Sequence, residues 1–129
     1  MVPVRIRLDA SNNCVLGVAQ FIEFESAKTT SIHWELVNID RIAGRVFAFV
    51  RSTTAIDDGI GFTLDRDTDF ENDPTPIVGT KFRKNLRLGF GRSRDTLYTY
   101  NINVAWKDIG AAASTPCTPP LGPAIINRN

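Results

Sequence analysis

Apolar and polar residues alternate with a period of two along much of this chain. The clearest run ends at Trp106, and its apolar positions share one parity: Tyr98, Tyr100, Ile102, Val104 and Trp106. A β-strand is the regular element whose side chains change face at every residue, so this run predicts one long strand. We expect its aromatic face to pack against an opposing layer of the protein.

Shorter alternating runs predict further strands in residues 2–8, 14–24, 32–36, 60–64 and 82–90. No window has apolar residues at a helical three-four spacing strong enough to compete. Turn-forming residues separate the runs, and no stretch is available for the helical crossovers that a parallel sheet needs. The expected fold class is all-β, an antiparallel two-sheet sandwich of about seven to nine strands, with a closed barrel as the alternative.

One predicted strand is apolar on both faces. Between Arg45 and Arg51 the chain reads Val-Phe-Ala-Phe-Val, which is typical of a strand that is covered on both sides. Phe47 or Phe49 is expected to enter the core, and the second cover would be a loop or a partner chain. This strand favours a non-enzymatic module that acts through protein contacts, either with a protein partner or with itself as a homodimer.

Composition places the chain among single globular domains. It has 129 residues, of which 43% are apolar and 22% are charged, so residues 1–129 are expected to form one domain, with 111–123 as an irregular proline-rich connection. The net charge of +1 disfavours nucleic acid and anionic membranes as partners. The first residues lack the apolar core of a secretory signal, and no window is long enough to cross a bilayer. We therefore expect a soluble cytoplasmic protein.

The two cysteines, Cys14 and Cys117, stand far apart in the sequence. A bond between such distant residues would restrict the unfolded chain. Two cysteines in a chain without a secretory signal are more often free thiols. The sequence thus favours free thiols and leaves the pairing open.

The stretch from Asp95 to Val104 resembles the penultimate strand of immunoglobulin-like and fibronectin-type-III-like domains. In that pattern an Asp stands three residues before a corner tyrosine, here Tyr98, and a core residue follows two positions later, here Tyr100. Trp34 falls where such domains place their core tryptophan. Tyr100 occupies the site of the second cysteine of antibody domains, so the resemblance implies the sandwich architecture without that inter-sheet disulfide.

The ending of the chain carries a second resemblance. Residues 122–127 read Gly-Pro-Ala-Ile-Ile-Asn and follow shortly after a tyrosine-rich strand. They are similar to the endings of small bacterial β-sandwich proteins of unassigned function, in which an Asp-Pro precedes a short final strand. Here Gly122 replaces that Asp. The resemblance implies a bacterial β-sandwich and no particular activity.

Alternate carboxylates form the sharpest candidate for a metal site. They are Asp65, Asp67, Asp69, Glu71 and Asp73. Oxygen ligands that converge in a loop suit a hard cation such as Ca²⁺. The helix-loop-helix calcium pattern is not met, because Phe70 stands where the turn glycine is needed and Pro76 where the bidentate Glu belongs. The sequence favours a solvated loop over a calcium site.

Two side chains are candidates for ligand binding outside the acidic loop. Trp106 stands at a strand end, where an exposed indole could stack on a sugar ring, and Arg87 belongs to a basic segment that could receive an anion. Together with the acidic loop, Trp106 defines the alternative function, a calcium-binding or carbohydrate-binding domain. On a strand, Arg87 would also fit an ordinary polar outer surface.

Nothing in the sequence predicts catalysis. His33 is the only histidine and alternates with Trp34, so we expect it to point outward, and no cysteine or serine has a context that suggests a neighbouring base. The spacing of histidine and cysteine fits no zinc site. We therefore expect no enzymatic activity, no catalytic residues and no cofactor. An enzyme would need a cleft that gathers Asp57, Asp67, His33 or Arg87 from separate loops.

Overall fold

The computed structural model describes residues 1–24, 31–39, 42–52, 58–63, 70–72, 79–86 and 97–127. Within these ranges it contains strands and no α-helix, which confirms the all-β prediction. No helix that could span a bilayer occurs in this part of the chain. The strands are β1 (Val2–Leu8), β2 (Cys14–Gly17), β3 (Phe21–Phe24), β4 (Ser31–Val37), β5 (Arg45–Phe49), β6 (Ile60–Phe62), β7 (Phe70–Asn72), β8 (Lys81–Leu86), β9 (Leu97–Ile102), β10 (Val104–Asp108), β11 (Thr115–Pro116) and β12 (Ala124–Asn127).

These strands form three sheets. The five-stranded sheet has the order β2-β1-β4-β8-β7, the three-stranded sheet β11-β10-β5, and the four-stranded sheet β3-β12-β9-β6. The pairs β1–β4 and β3–β12 are parallel, and the other pairs are antiparallel. The arrangement thus differs from a purely antiparallel pair of sheets and from one closed barrel. Alternation specifies which face of a strand is buried, but it does not specify the neighbour or the direction of pairing.

The long strand predicted up to Trp106 is present, but it serves two sheets. Strands β9 and β10 are separated by Asn103 alone, where the chain leaves the four-stranded sheet and enters the three-stranded one. The Asn103 backbone N–H donates to the carbonyl of Gly59 at 2.8 Å, and its side-chain amide donates to the carbonyl of Asp58 at 2.7 Å. The Asn103 carbonyl accepts from the N–H of Val50 at 2.9 Å. These bonds hold the crossing point between the two sheets.

Two predicted core residues meet across the interior. Trp34 is fully buried on β4, and its indole ring meets the ring of Tyr100 on β9 edge-on, with centroids 5.6 Å apart. The indole N–H donates to the Tyr100 hydroxyl at 3.4 Å. Burial raises the pKa of Tyr100, against an opposing effect of this hydrogen bond. The two strands belong to different sheets, whereas an immunoglobulin-like domain places the corresponding strands in one sheet.

A close backbone approach supports the core beside the Asn103 crossing. A Cβ on Gly59 would lie 2.5 Å from the ring of Phe82 and 2.9 Å from the Cβ of Phe49, so this position has room only for glycine. The neighbouring Asp58 is buried, and its carboxylate accepts from the backbone N–H of Ser52 at 3.0 Å. The turn that precedes β6 is thereby fixed against the chain that follows β5.

The expectation of free thiols is wrong, because Cys14 and Cys117 form a disulfide. Their Cα atoms are 4.7 Å apart, both residues are buried, and 103 positions separate them in sequence. Strand β2 and the segment after β11 run side by side, with the N–H of Thr118 donating to the Cys14 carbonyl at 2.8 Å. The bond therefore joins the edges of the five-stranded and three-stranded sheets. This proximity arises from tertiary pairing and leaves no local signature in the sequence.

Candidate interaction surface

Strand β5 presents apolar side chains on both faces, as its sequence predicts. Phe47 and Phe49 point into the core and are 4% and 5% exposed, so both aromatic residues are buried. The intervening positions face outward, and Val46 is 44% exposed. The outer side of this strand is therefore apolar, with Val46 exposed and with Ala48 and Val50 partly exposed.

Strand β10 continues the apolar surface. The antiparallel register places Ala105 opposite Ala48 and Lys107 opposite Val46, so these side chains share the outer face. Together with Val50 and Ser114 they line a groove of about 310 Å³. Among the described residues that line it, Lys107 alone is charged. We call this surface, formed by Val46, Ala48, Val50, Ala105, Lys107 and Ser114, the β5–β10 face.

A second groove adjoins the β5–β10 face at Val50. It has a volume of about 270 Å³, and its other lining residues include Asn103, Pro116, Cys117 and Pro119. The two grooves share Val50, and the second one also borders Cys117 of the disulfide. The residues of the described ranges that line the second groove are all uncharged. The arrangement suits contact with another apolar surface better than recognition of a polar ligand.

The indole of Trp106 is half-buried and also lines the 310 Å³ groove. It packs against the core, and the guanidinium carbon of Arg45 lies 3.7 Å from the ring centroid. Arg45 is held in turn by a hydrogen bond from its Nη1 to the carbonyl of Asn12 at 3.0 Å. A carbohydrate that stacked on this face of the indole would have to displace Arg45.

Most of the predicted metal and anion residues lie outside the described part of the chain. This applies to Asp65, Asp67, Asp69, Asp73 and Arg87. Glu71 belongs to β7, where its backbone pairs with that of Asn85. Among the residues that the structure describes, no three His, Cys, Asp or Glu side chains are grouped so that they could hold a metal ion.

His33 points outward, as predicted. Its contact with Ser31 was not predicted from the sequence. The Ser31 Oγ and the His33 Nε2 are 3.0 Å apart on the outer face of β4. Partial burial, Arg83 and the amino terminus lower the pKa of His33. Glu35, the next outward residue, forms its ion pair with Lys81 at 3.9 Å. The serine and histidine thus lie on an exposed sheet face, and the nearby carboxylate is engaged elsewhere.

No protein-family model matches the sequence, and no curated protein matches it either.

Proposed function

We propose that this protein is a non-enzymatic β-sandwich module that acts through protein contacts and forms a homodimer through its β5–β10 face. The observation that carries the proposal is the outward-facing row Val46, Ala48 and Ala105, which is apolar although it does not belong to the core. Burying such a surface removes apolar area from water, with a gain of about 25 cal/mol per Å² before the costs of association.

A second copy is the partner that this surface fits most simply. A two-fold dimer brings the same patch of both subunits together, so the patch must be complementary to itself. An almost uncharged, sheet-like surface meets that requirement because it needs no opposite charge on the other side. Two such sheets can pack face to face at a spacing of about 10 Å.

The sandwich architecture itself forms part of the proposal. The edge-on contact of Trp34 and Tyr100 supports two layers that face each other across one core. Burial of Tyr98 and Tyr100 on one side of β9 agrees with the immunoglobulin-like resemblance, while the assignment of their strands to separate sheets distinguishes this chain from that family's usual pairing.

The disulfide favours a location different from the cytoplasm. Cys14 and Cys117 pair with both residues buried, and such bonds form and persist mainly in oxidising compartments. We therefore infer that the protein matures in an oxidising environment, in contrast to the cytoplasmic location expected above.

Light scattering coupled to gel filtration tests the dimer. The wild-type protein is expected to elute as a dimer at about 100 μM, and Val46→Asp/Ala48→Asp is expected to elute as a monomer, because each carboxylate would be buried in the interface. Asn101→Asp adds a charge at an exposed position of β9 and serves as the control that should leave the dimer intact. A wild-type monomer at this concentration, or a dimer that survives both substitutions, would contradict the proposal.

A further inference from the structure

The outer face of the five-stranded sheet collects positive charge from separate parts of the sequence. Strand β1 places Arg5 and Arg7 on this face, because Val4 and Ile6 between and beside them are buried. Strand β8 places Lys81 and Arg83 on the same face, since Phe82 between them is buried. Strand β4, which lies between β1 and β8, adds the outward residues His33 and Glu35.

Arg5 and Arg7 are the accessible part of this basic face. Both are exposed, and the residues opposite them on neighbouring strands are uncharged: Gly17 and Val37 beside Arg5, and Val15 beside Arg7. Within the described residues, neither guanidinium forms an ion pair. Glu35, an acid of the same face, is in contact with Lys81. Hydrogen bonds from the backbone, chiefly that of Asn13, and the charge of Arg7 lower the pKa of Asp9, which stands two residues after Arg7. Apart from this interaction, the positive charge of β1 is available to a partner.

The positive charges of this face influence the pKa of His33, which lies on it. His33 stands opposite Arg83 in the register of β4 and β8. After the effect of partial burial, the charges of Arg83 and of the amino terminus lower the pKa of His33, because they oppose a further positive charge. The described residues of this face include four cationic side chains, Arg5, Arg7, Lys81 and Arg83, beside the carboxylate of Glu35, although the chain as a whole has a net charge of only +1.

We propose that this face, built on Arg5 and Arg7, binds an extended acidic segment of a partner protein. Residues two apart on a strand are about 6.6 Å apart, and an extended peptide repeats its side chains on one side at the same distance. Carboxylates at alternate positions of such a peptide therefore match Arg5 and Arg7 one to one. Guanidinium groups accept this geometry well, since each can bind a carboxylate with two parallel hydrogen bonds.

This surface is distinct from the β5–β10 face, which belongs to another sheet. Homodimer formation and capture of an acidic segment can therefore succeed or fail independently. The contact with the acidic segment is expected to be salt-sensitive, because charges at the surface are screened within about 8 Å at physiological ionic strength.

Titration of a fluorescent ten-residue peptide with Glu and Thr at alternating positions tests the inference, with the Gln-Thr peptide as its uncharged counterpart. The oxidised full-length protein is expected to bind the Glu peptide in low salt and to ignore the Gln peptide. Arg5→Gln/Arg7→Gln should weaken binding about tenfold, the effect of losing two exposed charge pairs. Arg5→Lys/Arg7→Lys keeps both charges and should retain most of the affinity.

Arg51→Gln is the control for a general loss of positive charge, because Arg51 lies after β5 and outside the five-stranded sheet, where its guanidinium contacts the buried Asp58 carboxylate at 3.6 Å. Far-ultraviolet circular dichroism verifies that each variant is folded. Unchanged binding by folded Arg5→Gln/Arg7→Gln, or an equal loss in Arg51→Gln, would overturn the proposal. So would failure to bind the Glu peptide, including the case in which heparin, single-stranded DNA or phosphatidylserine vesicles bind instead.

Discussion

Removal of the disulfide is the most quantitative perturbation that this structure offers. Cys14 and Cys117 close a loop in which the two residues are 103 positions apart. Closing a loop of about 100 residues removes enough entropy from the unfolded chain to stabilise the folded state by about 4.7 kcal/mol. Since a domain of this kind has a total stability of about 5–15 kcal/mol, the bond accounts for a large part of it.

The native contacts around the bond determine what remains after its removal. The N–H of Leu16 donates to the Thr118 carbonyl at 2.9 Å, and the N–H of Cys117 donates to the Val104 carbonyl at 2.8 Å. These hydrogen bonds do not require sulfur, so the edge of the three-stranded sheet is expected to stay in place. The effect of Cys14→Ala/Cys117→Ala should therefore arise mainly in the unfolded state.

Urea denaturation of the wild type and of Cys14→Ala/Cys117→Ala measures this effect. We expect the free energy of unfolding to fall by about 3–5 kcal/mol and the denaturant slope to rise, because the uncrosslinked unfolded chain exposes more surface. A reductant should lower the stability of the wild type and leave that of the variant unchanged. A loss below about 1 kcal/mol, or two titratable thiols in the folded protein, would refute the reasoning.

Two further predictions concern the core. Gly59→Ala should destabilise the protein by about 1–3 kcal/mol in the same denaturation assay, because its methyl group would enter the space of the Phe82 ring. Gly17→Ala is the control and should have a much smaller effect, because no atom lies within 4 Å of the new Cβ. Equal losses for both variants would contradict the steric explanation. Tyr100→Phe should make the free energy of unfolding less dependent on alkaline pH. Because the pKa of Tyr100 is raised in the folded state, the contribution of its hydroxyl to stability is complete below the unfolded pKa of about 10. That contribution is lost as the pH rises through the folded pKa. Identical stability profiles of wild type and variant between neutral and strongly alkaline pH would disprove this assignment.

Period-two alternation was sufficient to predict the face of most side chains. Tyr98 and Tyr100 are buried, and His33 points outward. Successive side chains of a strand point to opposite faces, so the order of residues directly determines which of them share a face. The same information predicted the doubly apolar strand β5, which carries the candidate interaction surface.

Pairing between distant segments could not be predicted in this way. The parallel neighbours β1 and β4 are separated by two other strands, and the disulfide joins residues that are remote in sequence. The cover of Trp106 by Arg45 arises from the register of β5 and β10, which the alternation of a single strand does not contain. These contacts depend on which segments become neighbours, and turn chemistry and core packing decide that jointly.

The distribution of charge over the surface is a second property that the sequence alone could not predict. A net charge of +1 argues against a polyanionic partner only if positive and negative groups are mixed over the surface. In the folded chain the parity of β1 places Arg5 and Arg7 together, and the order of the five-stranded sheet brings the outward side of β8 to the same face. Summed charge is independent of the fold, whereas local potential depends on it. The proposal of an acidic binding segment therefore rests on the sheet order, and the acidic peptide titration measures whether that order creates a binding surface.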